Sequence, residues 1–290
     1  MFLLTLHIVA CKQKKSREQA FALTRDTLQV EAPFGAYTIQ SPNFENAPRL
    51  LITDFGADPN NKKKNTEAIA AAIDSAHAIA GGTVVIPKGE WLTGKIHFKS
   101  NVNLHLEEGA TLLFSEDPQD YLPAVLSTWE GMECYNYSPL IYAYECENIA
   151  ITGKGKLKAK MDTWEVWFAR PSGHMQNLKR LYEMASKDIP VEERQMVNDS
   201  ANFRPQFIQF NRSKHILLEG IAIENSPFWV IHPYLSSDVI IREVNVFAHG
   251  HNNDGVDPEM SQNVLIENCV FDQGDDAIAV KAGRNQDAWR

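Results

Sequence analysis

The chain is poor in cysteine: Cys11, Cys134, Cys146 and Cys269 are the four in 290 residues. So few thiols exclude a disulfide framework as the basis of the fold. Positive charge is also scarce, since 28 basic residues against 37 acidic ones give a formal net charge of −9. A nucleic-acid partner would need a basic face, so none is expected. No His, Cys and Asp set has the spacing of metal ligands, and neither a metal nor another cofactor is predicted.

The N-terminus carries a short apolar run, residues 2–9, followed by Ala10 and Cys11. The run is far below the ~20 residues that span a bilayer, but it fits the apolar part of a signal peptide. Ile8-Val9-Ala10-Cys11 resembles the bacterial lipobox, in which the cysteine is lipidated after cleavage. Residues 1–11 are therefore predicted to be a signal peptide. The chain would be a lipoprotein exported across the inner membrane to the periplasm or the outer-membrane surface, with a lipid anchor on Cys11 as its membrane contact. An ordinary apolar N-terminus with a free cysteine is the alternative.

Residues 12–48 are predicted to be a polar tether and irregular lead-in, because Pro33, Gly35, Pro42 and Pro48 interrupt them. The ordered body then starts at residue 49. A helix capped by Asn65 or Thr66 is expected before Gly81-Gly82, and it would cover the open edge of the first strands. Its apolar residues recur at helical spacing: Ala68, Ile69, Ala72, Ile73 and Ala76.

From Thr83 onward the sequence consists of short apolar runs separated by turn residues, and these runs repeat. Ile208, Ile231, Val256 and Ile278 align at spacings of 23, 25 and 22 residues. The pattern predicts an all-β fold, a parallel β-helix with two strands per turn and an N-terminal capping helix. A second column aligns Ile223, Val246 and Phe271, and a third contains Cys269 as a buried thiol in place of Val244 and Ile221.

Two insertions, residues 117–139 and 160–203, interrupt the repeat, and insertions in solenoids often lie on the binding face. The second contains Trp164 and Trp167 and a helix-like segment over 178–185. The tryptophans could form a stacking platform for a sugar, or they could pin the insertion to the scaffold.

Two acidic motifs stand one repeat apart near the C-terminal end: Asn252 to Pro258, and Gly274 to Lys281. Asp254 and Asp276 are separated by 22 residues, which is one turn of the solenoid. Stacked strands lie ~4.8 Å apart, so Asp254, Asp275 and Asp276 are expected to crowd one patch. Carboxylates that close shift one another's pKa values, as general acid–base catalysis requires.

These motifs resemble glycoside hydrolase family 28, the polygalacturonases, from about residue 50 to the end. The resemblance rests on Asp54-Phe55-Gly56-Ala57, Gly82 to Pro87, Ser226-Pro227-Phe228-Trp229 and the two acidic motifs. It implies a right-handed parallel β-helix of the pectin lyase type over residues 49–290. It also implies inverting, exo-acting hydrolysis of α-linked galacturonides in pectic polysaccharides or oligogalacturonides. Family elements that usually follow are a Gly-His-Gly motif and an Arg-X-Lys clamp. Since neither follows before Arg290, an incomplete domain that is poorly soluble and inactive alone is expected.

By this resemblance Asp275 is the general acid, and Asp254 with Asp276 activates the water, with ~6.5–9.5 Å between acid and base. Lys281 and Arg284 could pair with a uronate carboxylate, or they could be solvated surface cations. Asn252 could bind substrate, position a catalytic aspartate or form part of an asparagine ladder. Two other functions stay open: a pectate lyase that eliminates across the same bond with Ca²⁺, and a surface lipoprotein that binds glycan without cleaving it.

Overall fold

The computed structural model describes residues 21–59 and 64–290. The predicted lipidation site, Cys11, and the signal peptide lie outside the described residues. Three parallel sheets form the body, and the chain passes through them in turn, so that each rung stacks on the one before. The predicted parallel β-helix is confirmed. In the described part of the chain no helix is long and apolar enough to cross a membrane.

The sheets contain seven, six and four strands, numbered here in chain order. The seven-stranded sheet contains β3 (Arg49–Leu51), β4 (Gly82–Ile86), β7 (Val102–Leu106), β12 (Glu147–Gly153), β15 (Lys214–Glu219), β18 (Ser237–Arg242) and β20 (Gln262–Glu267). The six-stranded sheet contains β5 (Gly89–Thr93), β8 (Ala110–Phe114), β13 (Lys156–Ala159), β16 (Ala222–Glu224), β19 (Asn245–Ala248) and β21 (Val270–Gln273). The four-stranded sheet contains β6 (Ile96–His97), β11 (Ile141–Tyr144), β14 (Ile208–Asn211) and β17 (Ile231–Tyr234).

The predicted register of the rungs is confirmed. Ile208 lies opposite Ile231 in the four-stranded sheet, and two further bridges join Ile231 to Val256 and Val256 to Ile278. The column therefore extends the four-stranded sheet by two more rungs, and Val256 at its centre is fully buried. Because side chains alternate along a strand, every second residue of each rung enters the one apolar interior.

The prediction of two strands per rung is wrong, because each rung contains three. A short bend separates the seven-stranded from the six-stranded sheet, and the inward-facing positions shift by one residue across it, as from Leu218 to Ile221. A residue with positive φ makes this bend in successive rungs: Gly220 at 78°, Glu243 at 54° and Asn268 at 53°. Only two residues separate the two strands at each bend, so the sequence pattern was interpreted as one strand where the chain forms two.

The irregular lead-in expected over residues 12–48 is wrong for much of its described part. Here β1 (Thr24–Ala32) and β2 (Gly35–Asn43) form an antiparallel hairpin. Ile39 is 3% exposed and packs against Ala150, Leu217 and Ile240 on the outer face of the seven-stranded sheet. Pro33 lies in the hairpin turn, and Pro42 lies in the second strand, which is an edge strand where a missing N–H group is tolerated. Pro48 lies in the loop before β3.

The capping helix is α1 (Thr66–Ala78), which begins after Asn65 and ends before Gly81 as predicted. Ile69, Ala72, Ile73 and Ala76 are buried on its inner face and join the main apolar cluster. The Asn65 side chain makes no cap bond with the helix and instead bonds the Asp58 backbone and the Leu92 carbonyl. The helix thus covers the apolar interior of the first rung.

The two insertions cover the outer face of the four-stranded sheet. The first forms the hairpin of β9 (Val125–Trp129) and β10 (Met132–Asn136), and Ser127 donates a hydrogen bond to Gln209 at 3.0 Å. Trp164 in the second is fully buried 5.8 Å from the Tyr121 ring, so it pins the insertion rather than stacking on a sugar. The remaining elements are α2 (Asp162–Phe168), α3 (Ser172–Ser186), α4 (Asn285–Trp289) and short 3-10 helices at Ile52–Phe55, Pro118–Tyr121 and Val191–Glu193.

Candidate active site

The three predicted carboxylates meet at one edge of the four-stranded sheet, where two successive rungs stack. The Gly255 amide donates to the Asp276 carbonyl at 2.9 Å, so the loops that carry Asp254 and Asp276 lie directly on one another. Asp275 occupies the same bend, and the Asp276 amide donates to its side chain at 3.0 Å. One oxygen of each carboxylate lies within 4.8 Å of the other two. The sequence prediction that they share one patch is therefore correct in its geometry.

The three carboxylates differ in their surroundings. Asp254 is 3% exposed, whereas Asp275 and Asp276 are exposed to solvent. Their nearest oxygens are closer than the ~6.5–9.5 Å expected between the acid and the base of an inverting enzyme. The distance between nearest oxygens is a lower limit on the separation of the carboxyl groups. A sheltered carboxylate beside two exposed ones is an arrangement that can hold a water molecule and supply a proton.

Lys281 contacts the buried member of this group. Its Nζ lies 2.9 Å from Asp254 Oδ2 and 3.2 Å from Asp257 Oδ1, and it lies 4.7 Å from the centre of the Trp229 ring. Burial acts to lower the pKa of Lys281, but its hydrogen bond with Asp254 and the charge of Asp257 raise it overall. Lys281 thus stays charged, and its ammonium group already has two carboxyl partners.

Asp257 is a buried acid in the first acidic motif, and no separate role was predicted for it. It is fully buried, and burial together with the Asp254 charge raises its pKa to about 9. It is therefore neutral at pH 7. Alternation along the rung places Asp257 on the face opposite Val256, with Glu259 beside it on the same face. The position of Asp257, next to inward-facing Val256 and two residues before Glu259, was the one signal in the sequence that could have identified it as a site residue.

Asn252 is held by two arginines that the sequence analysis did not identify. Its Oδ1 accepts hydrogen bonds from Arg204 at 3.0 Å and from Arg170 at 3.1 Å. Arg204 is 1% exposed and also donates to the carbonyls of Pro227 and His251. The loop that leads into Asp254 is thus fixed from below by a buried guanidinium group. Arg204 comes from the segment after the second insertion, and no repeat position marks it.

Arg284 lies at the opposite wall of the cleft. Its backbone amide donates to the Gly131 carbonyl at 2.8 Å, which joins it to the turn of the β9–β10 hairpin. Its side chain is 47% exposed, hydrogen-bonds the Tyr182 hydroxyl and lies 3.9 Å from Glu130. The cleft between these walls has a volume of about 430 Å³. All six predicted site residues line it: Asn252, Asp254, Asp275, Asp276, Lys281 and Arg284.

His232 lies below the cleft. It is fully buried, with Nε2 2.8 Å from Glu259 Oε2 and Nδ1 3.0 Å from Gln209. The first insertion covers this part of the sheet, so His232 does not reach the rim of the cleft. His251 is an exposed residue next to Asn252. The partial burial of its ring, followed by the charges of Arg170 and Arg204, lowers its pKa.

Asp254, Asp275 and Asp276 are the one group of acidic, His or Cys side chains in residues 21–59 and 64–290 with metal-ligand spacing. A hard cation such as Ca²⁺ is coordinated by carboxylate oxygens. Here the Lys281 ammonium group already bonds Asp254 Oδ2 and supplies the positive charge. The arrangement favours acid–base chemistry over a calcium site.

A parallel β-helix with clustered carboxylates and cations in an outer cleft has the architecture of polysaccharide-processing enzymes. Residues 192–288 match the model of "Glycosyl hydrolases family 28". The predicted resemblance to this family is confirmed over these residues, and the solenoid is a right-handed parallel β-helix like that of the polygalacturonases.

Among solved structures, the chain is similar to a hyperthermoactive exopolygalacturonase from Thermotoga maritima, with 41% identity and a TM-score of 0.82 over 87% of this chain and 58% of that one. It is also similar to the family 28 exopolygalacturonase of Yersinia enterocolitica, with 25% identity and a TM-score of 0.66 over 93% of this chain and 52% of that one.

Among curated proteins, an exo-poly-alpha-D-galacturonosidase from Dickeya chrysanthemi is 28% identical over 84% of this chain and 44% of its own length. A probable polygalacturonase from Vitis vinifera is 28% identical over 80% of this chain and likewise 44% of its own length. The chain thus spans about half the length of the curated relatives it matches.

Proposed function

We propose that this protein hydrolyses the α-glycosidic bonds of galacturonides in pectin and acts from a chain end. The observation that carries the proposal is the meeting of Asp254, Asp275 and Asp276 within 4.8 Å in a cleft that Arg284 also lines. The match to glycoside hydrolase family 28 supports the same reaction, since the relatives named above are polygalacturonases and exopolygalacturonases.

In this proposal Asp275 is the general acid, and Asp254 and Asp276 together are the base. The Asp275 carboxyl gives its proton to the glycosidic oxygen as the bond from that oxygen to the anomeric carbon breaks. The water held by Asp254 and Asp276 attacks the same carbon and loses a proton to this pair. Attack from the side opposite the leaving group inverts the anomeric configuration.

The proposed substrate is a pectic polysaccharide or oligogalacturonide, which carries one carboxylate on each uronate ring. The chain as a whole is acidic, so local cations must attract such a polyanion. Arg284 is the strongest candidate, because its guanidinium group is half exposed and faces the same cleft as the carboxylates. Asn252 stands at the rim of this cleft and offers its amide to a sugar hydroxyl.

Action from a chain end is supported by the closed wall beside the carboxylates. At this wall the turn of the β9–β10 hairpin meets the segment before α4. A Cβ atom at Gly131 would lie 2.9 Å from the Gly283 backbone, so the two segments are in van der Waals contact. A polysaccharide that enters such a cleft meets protein beyond the reacting bond. The proposal therefore favours removal of terminal residues over cleavage within the chain.

Product analysis on polygalacturonate tests the proposal against its alternatives. Saturated galacturonic acid released without added Ca²⁺, with little early loss of viscosity, is the expected result. Unsaturated products that depend on Ca²⁺ would identify a lyase. Retention of the polymer without any release would leave only a glycan-binding protein, and either outcome would overturn the proposal.

We also propose that the protein reaches the periplasm or outer-membrane surface as a lipoprotein anchored at Cys11. The motif Ile8-Val9-Ala10-Cys11 supports this location. Mass spectrometry of the mature N-terminus should find a diacylglycerol-modified Cys11, and the Cys11→Ser variant should be released from membranes. A mature chain that retains residues 1–10 would contradict the anchor.

A further inference from the structure

Lys281 is fixed inside the wall of the cleft and does not extend freely into it. Its side chain is 27% exposed, and its Nζ makes a hydrogen bond of 2.9 Å with Asp254. The Trp229 ring lies beneath the ammonium group at 4.7 Å, and a desolvated contact of this kind further restrains a lysine. These contacts come from the two preceding rungs, so the position of Lys281 is determined by the stacking itself.

Asp257 completes this arrangement from below. It is fully buried three residues after Asp254, and its Oδ1 lies 3.2 Å from the Lys281 ammonium group. The charged and titratable groups that face it are Asp254 on its own rung and Lys281 on the next, with Glu259 and its partner His232 beside it. Because burial keeps Asp257 protonated at neutral pH, the single positive charge of Lys281 balances the single negative charge of Asp254.

We propose that Lys281 and Asp257 form a positioning pair, which holds Asp254 as an ionised carboxylate facing Asp275 and Asp276. This inference rests on the proposed hydrolase function, and it gives Lys281 a role other than substrate binding. The ammonium group already has two carboxyl partners, so a uronate that replaced Asp254 would have to displace it. The displacement would break a largely desolvated pair, which is strongly unfavourable.

The positioning role and a substrate-binding role predict different kinetics for Lys281→Met. Loss of a nearby positive charge makes a carboxylate harder to ionise, by about one pH unit or more. The acidic limb of the kcat/KM profile should therefore move to higher pH by about that amount, while KM changes by less than about threefold. Lys281→Arg keeps the charge and should largely restore the limb. If Lys281 binds substrate instead, KM rises by about tenfold or more and the limb does not move.

A matched control uses another lysine that pairs with a carboxylate on the surface. Lys160 lies 2.8 Å from Glu116, away from the cleft. Lys160→Met should leave both the pH profile and KM unchanged. A shift of the limb in this control as large as in Lys281→Met would show that the effect is general, and the inference would fail.

Titration of the carboxyl groups by NMR tests the pair without any turnover. In protein labelled with ¹³C at the aspartate side-chain carboxyl, Asp254→Asn and Asp257→Asn assign the two signals. The Asp254 midpoint should rise in Lys281→Met and stay close to wild type in Lys281→Arg. A signal that titrates far above the ordinary aspartate range should disappear in Asp257→Asn. Unchanged midpoints in Lys281→Met would overturn the positioning pair even in an active enzyme. Shifted midpoints in a protein that releases no sugar would refute the hydrolase and leave the pair in place.

Discussion

Asp287→Asn should destabilise the protein far more than the loss of a surface ion pair. Asp287 on α4 and Arg194 in the second insertion form an ion pair of 2.6 Å, and both side chains are fully buried. Asp287 also accepts a hydrogen bond from the Glu133 backbone, so it joins the C-terminal helix to the β9–β10 hairpin. The substitution leaves the Arg194 charge buried without its counterion. Breaking a buried pair in this way costs about 3–5 kcal/mol.

Urea unfolding followed by tryptophan fluorescence measures this effect. Asp188→Asn is the matched control, because Asp188 pairs with Arg290 at 2.8 Å but is 55% exposed, and exposed pairs contribute about 0–1 kcal/mol. The double variant Arg194→Met with Asp287→Asn removes both charges and should cost less than the two single changes added together. If Asp287→Asn costs no more than the control, or if the two changes are additive, the buried pair does not hold the cleft wall as argued.

Three other predictions concern the cleft. Asp257→Asn should gain thermal stability relative to wild type as pH rises from about 4 towards 9. In that window the wild-type folded state binds a proton that the unfolded state has lost, so the free energy of unfolding falls by up to about 1.4 kcal/mol per pH unit. If the melting temperatures of wild type and Asp257→Asn differ by the same amount at all pH values, Asp257 ionises normally. Arg284→Met should raise KM for oligogalacturonides about tenfold with little change in kcat, and an unchanged KM would remove Arg284 from the substrate site. Time-resolved proton NMR of a reaction on an α-linked substrate should show the β-anomer first, and an initial α-anomer would indicate retention.

The repeat in the sequence predicted the parts of the fold that depend on stacking. Ile208, Ile231, Val256 and Ile278 fall at the predicted register because each rung must present an apolar side chain to the same interior. The third strand of each rung was not predicted, because the bend at a residue such as Asn268 takes only two residues and leaves no separate turn segment in the sequence. The N-terminal hairpin was missed because its contacts lie on the outer face of the solenoid, which the repeat does not describe.

The residues of the cleft also divide into those that the repeat places and those that it does not. The repeat predicted that the carboxylates meet, because Asp254 lies one rung before Asp275 and Asp276. The contact of Asn252 with Arg170 depends on the second insertion, and the contact with Arg204 depends on the segment directly after it. Insertions have no repeat register, so the sequence alone does not say which strands they cover.

The most direct test of the central claim compares wild type with Asp275→Asn on oligogalacturonides of defined length. The substitution preserves the size of the side chain and removes the proton that the leaving oxygen needs. Release of galacturonic acid should fall at least about 100-fold, while binding of the oligomer, measured by calorimetry, stays close to wild type. Equal rates of sugar release by the two proteins would contradict the account.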